Sequence, residues 1–208
     1  MNISSELLFF FSVLGAFNGI ALGLYILFFA GRKHIANVFL GTVLILLSIR
    51  AGKSVFFYYS DFTLAQHFVQ VGLIACSLIG PFLYLFVYTV QHPKHEAPAW
   101  KYHLTIWLSL IVAITIAFPY YQHHDLWSYY FVNVIYLQWL IYILLSIRLI
   151  VLHTKHSRKQ GLRVKPPVKW AIHVTVGITV VAFAYFTGGY TSYIVGAITF
   201  TIISYFLI

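Results

Sequence analysis

Arg50 and Lys53 stand three residues apart inside a long apolar run, Ile35–Tyr59, which sets both on one face of a helix. A cation held within a hydrocarbon layer is costly and commonly functional, and the chemistry this pair offers is anion binding. At ~1.5 Å per residue from Ile35, Arg50 lies ~22 Å and Lys53 ~27 Å along the helix, close to its far boundary. The functional reading is an anchor for an anion, open to that far side. The structural reading is that Lys53 snorkels outward while Arg50 pairs with Asp61, Glu6 or backbone carbonyls.

Other polar side chains reach the same level. Gln66, His67 and Gln70 begin the third apolar run, with Gln66 and Gln70 on one face. Asn133 falls in the outer third of the fifth run, Gln138 nearer its middle, and Asn18 near the middle of the first. Singly, each offers an interhelical hydrogen bond worth ~0.6 kcal/mol. Together they predict a polar outer cavity walled by Tyr and Trp.

Ten histidines raise metal chemistry. His92, His95 and His103 with Glu96, and His153 with His156, belong to one side of the membrane; His123, His124 and Asp125 belong to the other. A di-iron site gathers its histidines on one face, and this chain divides them. His67 and His173 lie at opposite ends of their helices and cannot share a haem. Interfacial histidine is therefore the preferred reading, and no metal or cofactor is expected. The last run has no Lys for a retinal Schiff base, no Ser stands in a G-x-S-G setting, and no C-x-x-C pair is present.

The elements that carry these residues are seven apolar stretches: Leu7–Ala30, Ile35–Tyr59, Ala65–Gln91, Leu104–Tyr121, Trp127–Leu152, Trp170–Thr187 and Tyr190–Ile208. Each is long enough to cross ~30 Å of hydrocarbon, and 61% hydrophobic with 8% charged residues excludes a soluble domain. The fold class is an all-α integral membrane protein, one seven-helix transmembrane bundle. The first run is too long for a signal peptide, lacks a basic lead and is read as retained.

Charge gives the orientation. Met1–Glu6, Ser60–Leu64, Tyr120–Leu126 and Gly188–Gly189 hold no Lys or Arg. The opposite breaks hold Arg32, Lys33, Lys94, Lys101, Lys155, Arg158, Lys159, Arg163, Lys165 and Lys169, and the positive-inside rule makes those cytoplasmic. The N-terminus is then outside and the C-terminus inside. The net charge of +9 is mostly this asymmetry, so it does not imply nucleic-acid contact by this segment. The basic loop at 153–169 contains Pro166–Pro167, cannot be one continuous helix, and is expected to contact anionic lipids or a docking partner.

Small residues mark helix contacts. Gly15, Gly19 and Gly23 share a face of the first helix, and Gly72, Cys76 and Gly80 repeat the spacing in the third. Such a face can also serve a second copy, so a homodimer is among the expected partners, beside an unidentified small ligand or envelope component. Gly80–Pro81 frees a backbone carbonyl and predicts a kink, the first place to expect a hinge. The last run reaches Ile208 without a polar anchor, which reads as the front part of a longer protein.

Phe11-Ser-Val-Leu-Gly15-Ala-Phe-Asn-Gly19, Ala36-Asn-Val-Phe-Leu-Gly41 and Ser48-Ile-Arg50-Ala-Gly-Lys53-Ser resemble the opening of bacterial membrane-bound AraC-type transcriptional regulators. Gly80-Pro-Phe-Leu-Tyr84-Leu-Phe-Val-Tyr88 is similar to the third-helix motif of that family, and Tyr136-Leu-Gln138-Trp139 to part of its fifth. The resemblance implies a multi-helix domain of the inner membrane ahead of a cytoplasmic helix-turn-helix domain that binds DNA. These 208 residues contain no helix-turn-helix sequence. The expected function is the sensory or membrane-anchoring input of a transcriptional regulator rather than an enzyme. Lack of an internal repeat weighs against the alternative, a small solute permease or channel, and a histidine-based metalloenzyme ranks third.

Overall fold

The computed structural model describes residues 3–30, 34–60, 65–92, 99–187 and 193–207. Arg32, Lys33, Asp61, Lys94, His95, Glu96, Gly188, Gly189 and Ile208, which figured in the charge and loop readings, lie outside the described residues. Within them the chain is helical and holds no strand. The helices are α1 (Ile3–Tyr25, continued by a π turn at Ile26–Ala30), α2 (Ile35–Tyr59), α3 (Gln66–Gln91) and α4 (Ala99–Ala117). They are followed by α5 (His124–Lys159, with a π turn at Trp127–Phe131), α6 (Pro166–Phe186) and α7 (Tyr193–Leu207).

Six of these, α1 to α6, are long and apolar enough to cross a membrane. The seventh has 15 described residues, which at ~1.5 Å each falls short of a ~30 Å core. Outward faces carry large apolar side chains such as Ile106, Ile116, Leu137, Leu144 and Phe183. Exposed apolar area on this scale is what a lipid-facing surface requires. All described Lys and Arg other than Arg50 and Lys53 lie towards one end of the bundle, in the first turns of α4 and α6, the last part of α5, and the turn between α5 and α6.

Two helices form the centre. α2 packs against α1, α3 and α7, while α3 packs against α2, α4, α5 and α6; α6 in turn touches α5 and α7. α4 is peripheral, with no residue of its span buried. Its attachments include a hydrogen bond of His103 Nε2 with Tyr142 Oη of α5 at 3.0 Å, ring contacts of Trp107 with Tyr142 and of Trp100 with Phe39, and, just past its end, the Phe118 carbonyl accepting from Trp127 Nε1 at 2.6 Å.

The glycines of α1 face its neighbours α2 and α7. A Cβ on Gly23 would stand 2.8 Å from the Gly41 carbonyl oxygen, so the α1 and α2 backbones nearly touch there. Gly15 and Gly19 meet Thr201 of α7 and Ser48 of α2. Asn18 Nδ2 donates to Tyr205 Oη at 2.8 Å, a second tie between α1 and α7.

Three helices depart from their expected bounds for physical reasons. The basic stretch 153–169 is interrupted at 160–165, but the helices on either side extend into it, to Lys159 and from Pro166. His153, Lys155, Arg158 and Lys159 continue α5 beyond the apolar run, because Lys and Arg are good helix formers and the backbone bonds cost nothing in water. Gly161 then stops it at φ 66°, with Leu162 N–H donating to Ser157 O and Gly161 N–H to Arg158 O, a Schellman cap. Pro166 and Pro167 open α6 at its first positions, where a missing N–H is harmless. α4 runs from Ala99 to Ala117 instead of 104–121, since Pro119 disfavours helix at the residue before it.

Candidate ligand site around Arg50

Arg50 and Lys53 both lie on the buried side of α2, 2% and 5% exposed. The Arg50 guanidinium is gripped from several helices. Nη1 donates to Ser54 Oγ one turn on, at 2.6 Å, and Nη2 donates to Tyr136 Oη of α5, also at 2.6 Å. Its Cζ lies 4.5 Å from the centre of the Tyr185 ring of α6, and the Cys76 thiol of α3 is within electrostatic reach. One planar cation therefore joins α2, α3, α5 and α6.

This grip is incomplete. Charge-assisted hydrogen bonds and a desolvated cation–π contact are each worth ~2 kcal/mol, against several kcal/mol for taking a charge out of water. Hydroxyls and a ring carry no opposing charge. Neither Glu6 nor Asp125, the carboxylates among the described residues, pairs with Arg50; the single ion pair there is His124–Asp125. Nε of Arg50 is buried without a hydrogen-bond partner, and so is Nε1 of Trp139, whose ring neighbours those of Tyr136 and Tyr185.

Lys53 does not snorkel along the surface. Its stem crosses Gly72 of α3, where a Cβ would stand 2.6 Å from Lys53 Cγ, and Nζ lies 5.0 Å from the Phe57 ring centre. Gly72, read from sequence as a packing residue, is the space through which the lysine runs. Gly72→Ala is expected to cost about 1.5 kcal/mol by crowding that stem. Thermal unfolding in detergent measures it, with Gly52→Ala, whose added Cβ meets nothing closer than 3.9 Å, as the tolerated control.

The remaining polar residues do not converge on Arg50. Gln66 and His67 are exposed on the first turn of α3, with the His67 ring 5.8 Å from that of Tyr121. Gln70 is buried and its Oε1 accepts from the Tyr120 N–H at 3.4 Å. Asn133 is exposed and satisfies itself on the Tyr129 carbonyl of its own helix at 2.7 Å. Gln138 donates from Nε2 to the Ser77 carbonyl at 3.0 Å. That carbonyl is the one Pro81 leaves open, four residues on with no N–H to offer. The Gly80–Pro81 step is thus tied to α5, where the Tyr142 ring also fills the space over Gly80.

Ser54, Tyr136, Trp139 and Tyr185 complete the site and were missed as site residues from sequence. Ser54 carried a usable signal, four residues after Arg50 on the same helix face. Comparison of the chain with protein-family models, curated proteins and solved structures finds no match in any of the three. The likeness to AraC-type membrane domains thus rests on the quoted motifs alone. Among the described residues no group of three His, Cys, Asp or Glu side chains stands close enough to hold a metal ion.

Proposed function

We propose that the chain is the membrane-embedded input domain of a bacterial transcriptional regulator. In this reading it crosses the inner membrane seven times, with its N-terminus outside and its C-terminus in the cytoplasm. The observation that carries the reading is the reach of Arg50: its guanidinium lies on the Tyr185 ring, and that ring lies against Gly196 of α7, leaving no room for a Cβ. A change at Arg50 is felt by α5 through Tyr136 and by α7 through Tyr185. A ligand acts on this device only through its differential affinity for two arrangements, one with the Arg50–Tyr136 bond made and one with it exchanged.

The one-ended distribution of Lys and Arg supports the orientation. Cysteine labelling checks it, because the native Cys76 is buried and silent. In intact cells, a membrane-impermeant maleimide should label Gln122→Cys and leave Ser157→Cys untouched until the membrane is opened. The reverse pattern inverts the topology. For function, transcript profiles of cells carrying the wild-type gene or Arg50→Leu should differ in a small set of genes, with equal amounts of inserted protein. Unchanged transcripts, together with solute uptake by liposomes containing the purified chain, would instead identify a permease.

A further inference from the structure

Between α5 and α6 lies a cavity of about 240 Å³, lined by Tyr136, Trp139, Ile143, Thr179, Phe183 and Phe186. Cavities of ~150 Å³ take up a benzene ring, and one water needs only ~15 Å³, so this space suits an apolar group and not a single water. Its mouth faces the lipid side: Leu140, Phe183 and Phe186 at its rim are exposed. Its lining includes Tyr136, whose hydroxyl bonds the guanidinium, and Trp139, whose ring stacks on that of Tyr136.

Behind that wall the chemistry changes sign. Among the described residues, Arg50 Nε and Trp139 Nε1 are both buried N–H donors without an acceptor, and neither described carboxylate pairs with the guanidinium. Two open donors and a cation call for an acceptor-rich anion. An apolar cavity opening on the outer face of the bundle, backed by a cation that no described carboxylate neutralises, fits one kind of molecule: an amphiphile with a single alkyl chain and an anionic headgroup.

We infer that the α5–α6 cavity holds the chain of such an amphiphile, a fatty-acid-like carboxylate, with its headgroup reaching past Tyr136 to Arg50 Nε and Trp139 Nε1. This rests on Arg50 being the ligand anchor of the proposed input domain. The carboxylate competes with the Tyr136 hydroxyl for the guanidinium, so binding exchanges the bond that joins α2 to α5. The ligand enters sideways from the bilayer between α5 and α6, and the contact it alters is that of α5 with α2.

The test uses the full chain in nanodiscs of zwitterionic lipid, with an alkyl carboxylate brominated on its chain as a quencher of indole fluorescence. Lipid-facing tryptophans such as Trp170 are quenched equally by any brominated amphiphile, so the readout is the excess over the brominated alcohol of the same length. A saturable excess is expected, weakened at least tenfold in Arg50→Gln. Ala182 also lines the cavity, and Ala182→Phe fills it without touching the guanidinium contacts, so it guards against an Arg50 variant that fails to fold; it should abolish the excess. Equal quenching by alcohol and carboxylate, or undiminished binding to Ala182→Phe, overturns the inference. Full competition by inorganic phosphate overturns it too, assigning the site to a small free anion. Carboxylate binding with no effect on transcripts keeps the site and removes the regulatory reading. Altered transcripts in Arg50→Leu without carboxylate binding do the opposite.

Discussion

Gly23→Leu is expected to lower the stability of the bundle by about 3 kcal/mol, the upper part of the usual cost of overpacking. At this point backbone meets backbone: a Cβ on Gly23 would lie 2.8 Å from the Gly41 carbonyl oxygen, and a Cβ on Gly41 would lie 2.8 Å from that of Gly23. A flexible side chain could yield; two helix backbones cannot without separating. Separation also breaks the neighbouring contacts of Gly19 with Ser48 and Phe200, so α1 would detach from both α2 and α7. Unfolding in detergent, followed by helical circular dichroism and by accessibility of Cys76, measures the loss. Wild-type stability in Gly23→Leu would mean that α1 does not need this close approach.

Gln138→Leu should cost a similar amount, about 3 kcal/mol, because it leaves the Ser77 carbonyl unsatisfied inside an apolar layer. The cause is separable from lost packing by a double-mutant cycle. Pro81→Ala restores an N–H that can bond to Ser77 within α3, so Gln138 should matter less in that background. A coupling energy of about 1 kcal/mol or more is expected, the double variant being less damaged than the sum of the singles. Additive effects would show that Gln138 acts by filling space next to Ser77 and not by capping it. The same pair tests the hinge: if the cap holds Pro81 in place, its removal should loosen α3, read by faster amide exchange beyond Gly80.

What could be read in advance divides along a physical line. α2 has the bounds of its apolar run, Ile35–Tyr59, because both ends meet water and nothing else decides them. The end of α5 was not legible from hydropathy, since Leu152 ends the apolar run but not the backbone hydrogen bonding; Gly161 after a basic stretch was the better stop signal. Glycine spacing announced close contacts but not their partners. Whether Gly72 admits a neighbouring backbone or a lysine stem depends on how α3 is rotated against α2. Arg50 stood out because charge is rare in apolar sequence. Tyr136 and Tyr185 did not, because among 16 Tyr and 19 Phe nothing local marks the ring that will face a cation. Depth alone groups Gln66, His67 and Asn133, and depth leaves the direction around the helix axis undetermined.

The unbroken continuation of α5 past the apolar run has a mechanical consequence. Tyr136, which holds the guanidinium, and Lys159, at the helix tip, belong to one rigid rod. With ~1.5 Å per residue the lever arm between them is ~35 Å, so a ~5° tilt at the arginine displaces the basic tip by ~3 Å. On the proposed reading, exchange of the Arg50–Tyr136 bond would become a displacement the width of a hydrogen bond at the far end, large enough to make or break a contact there.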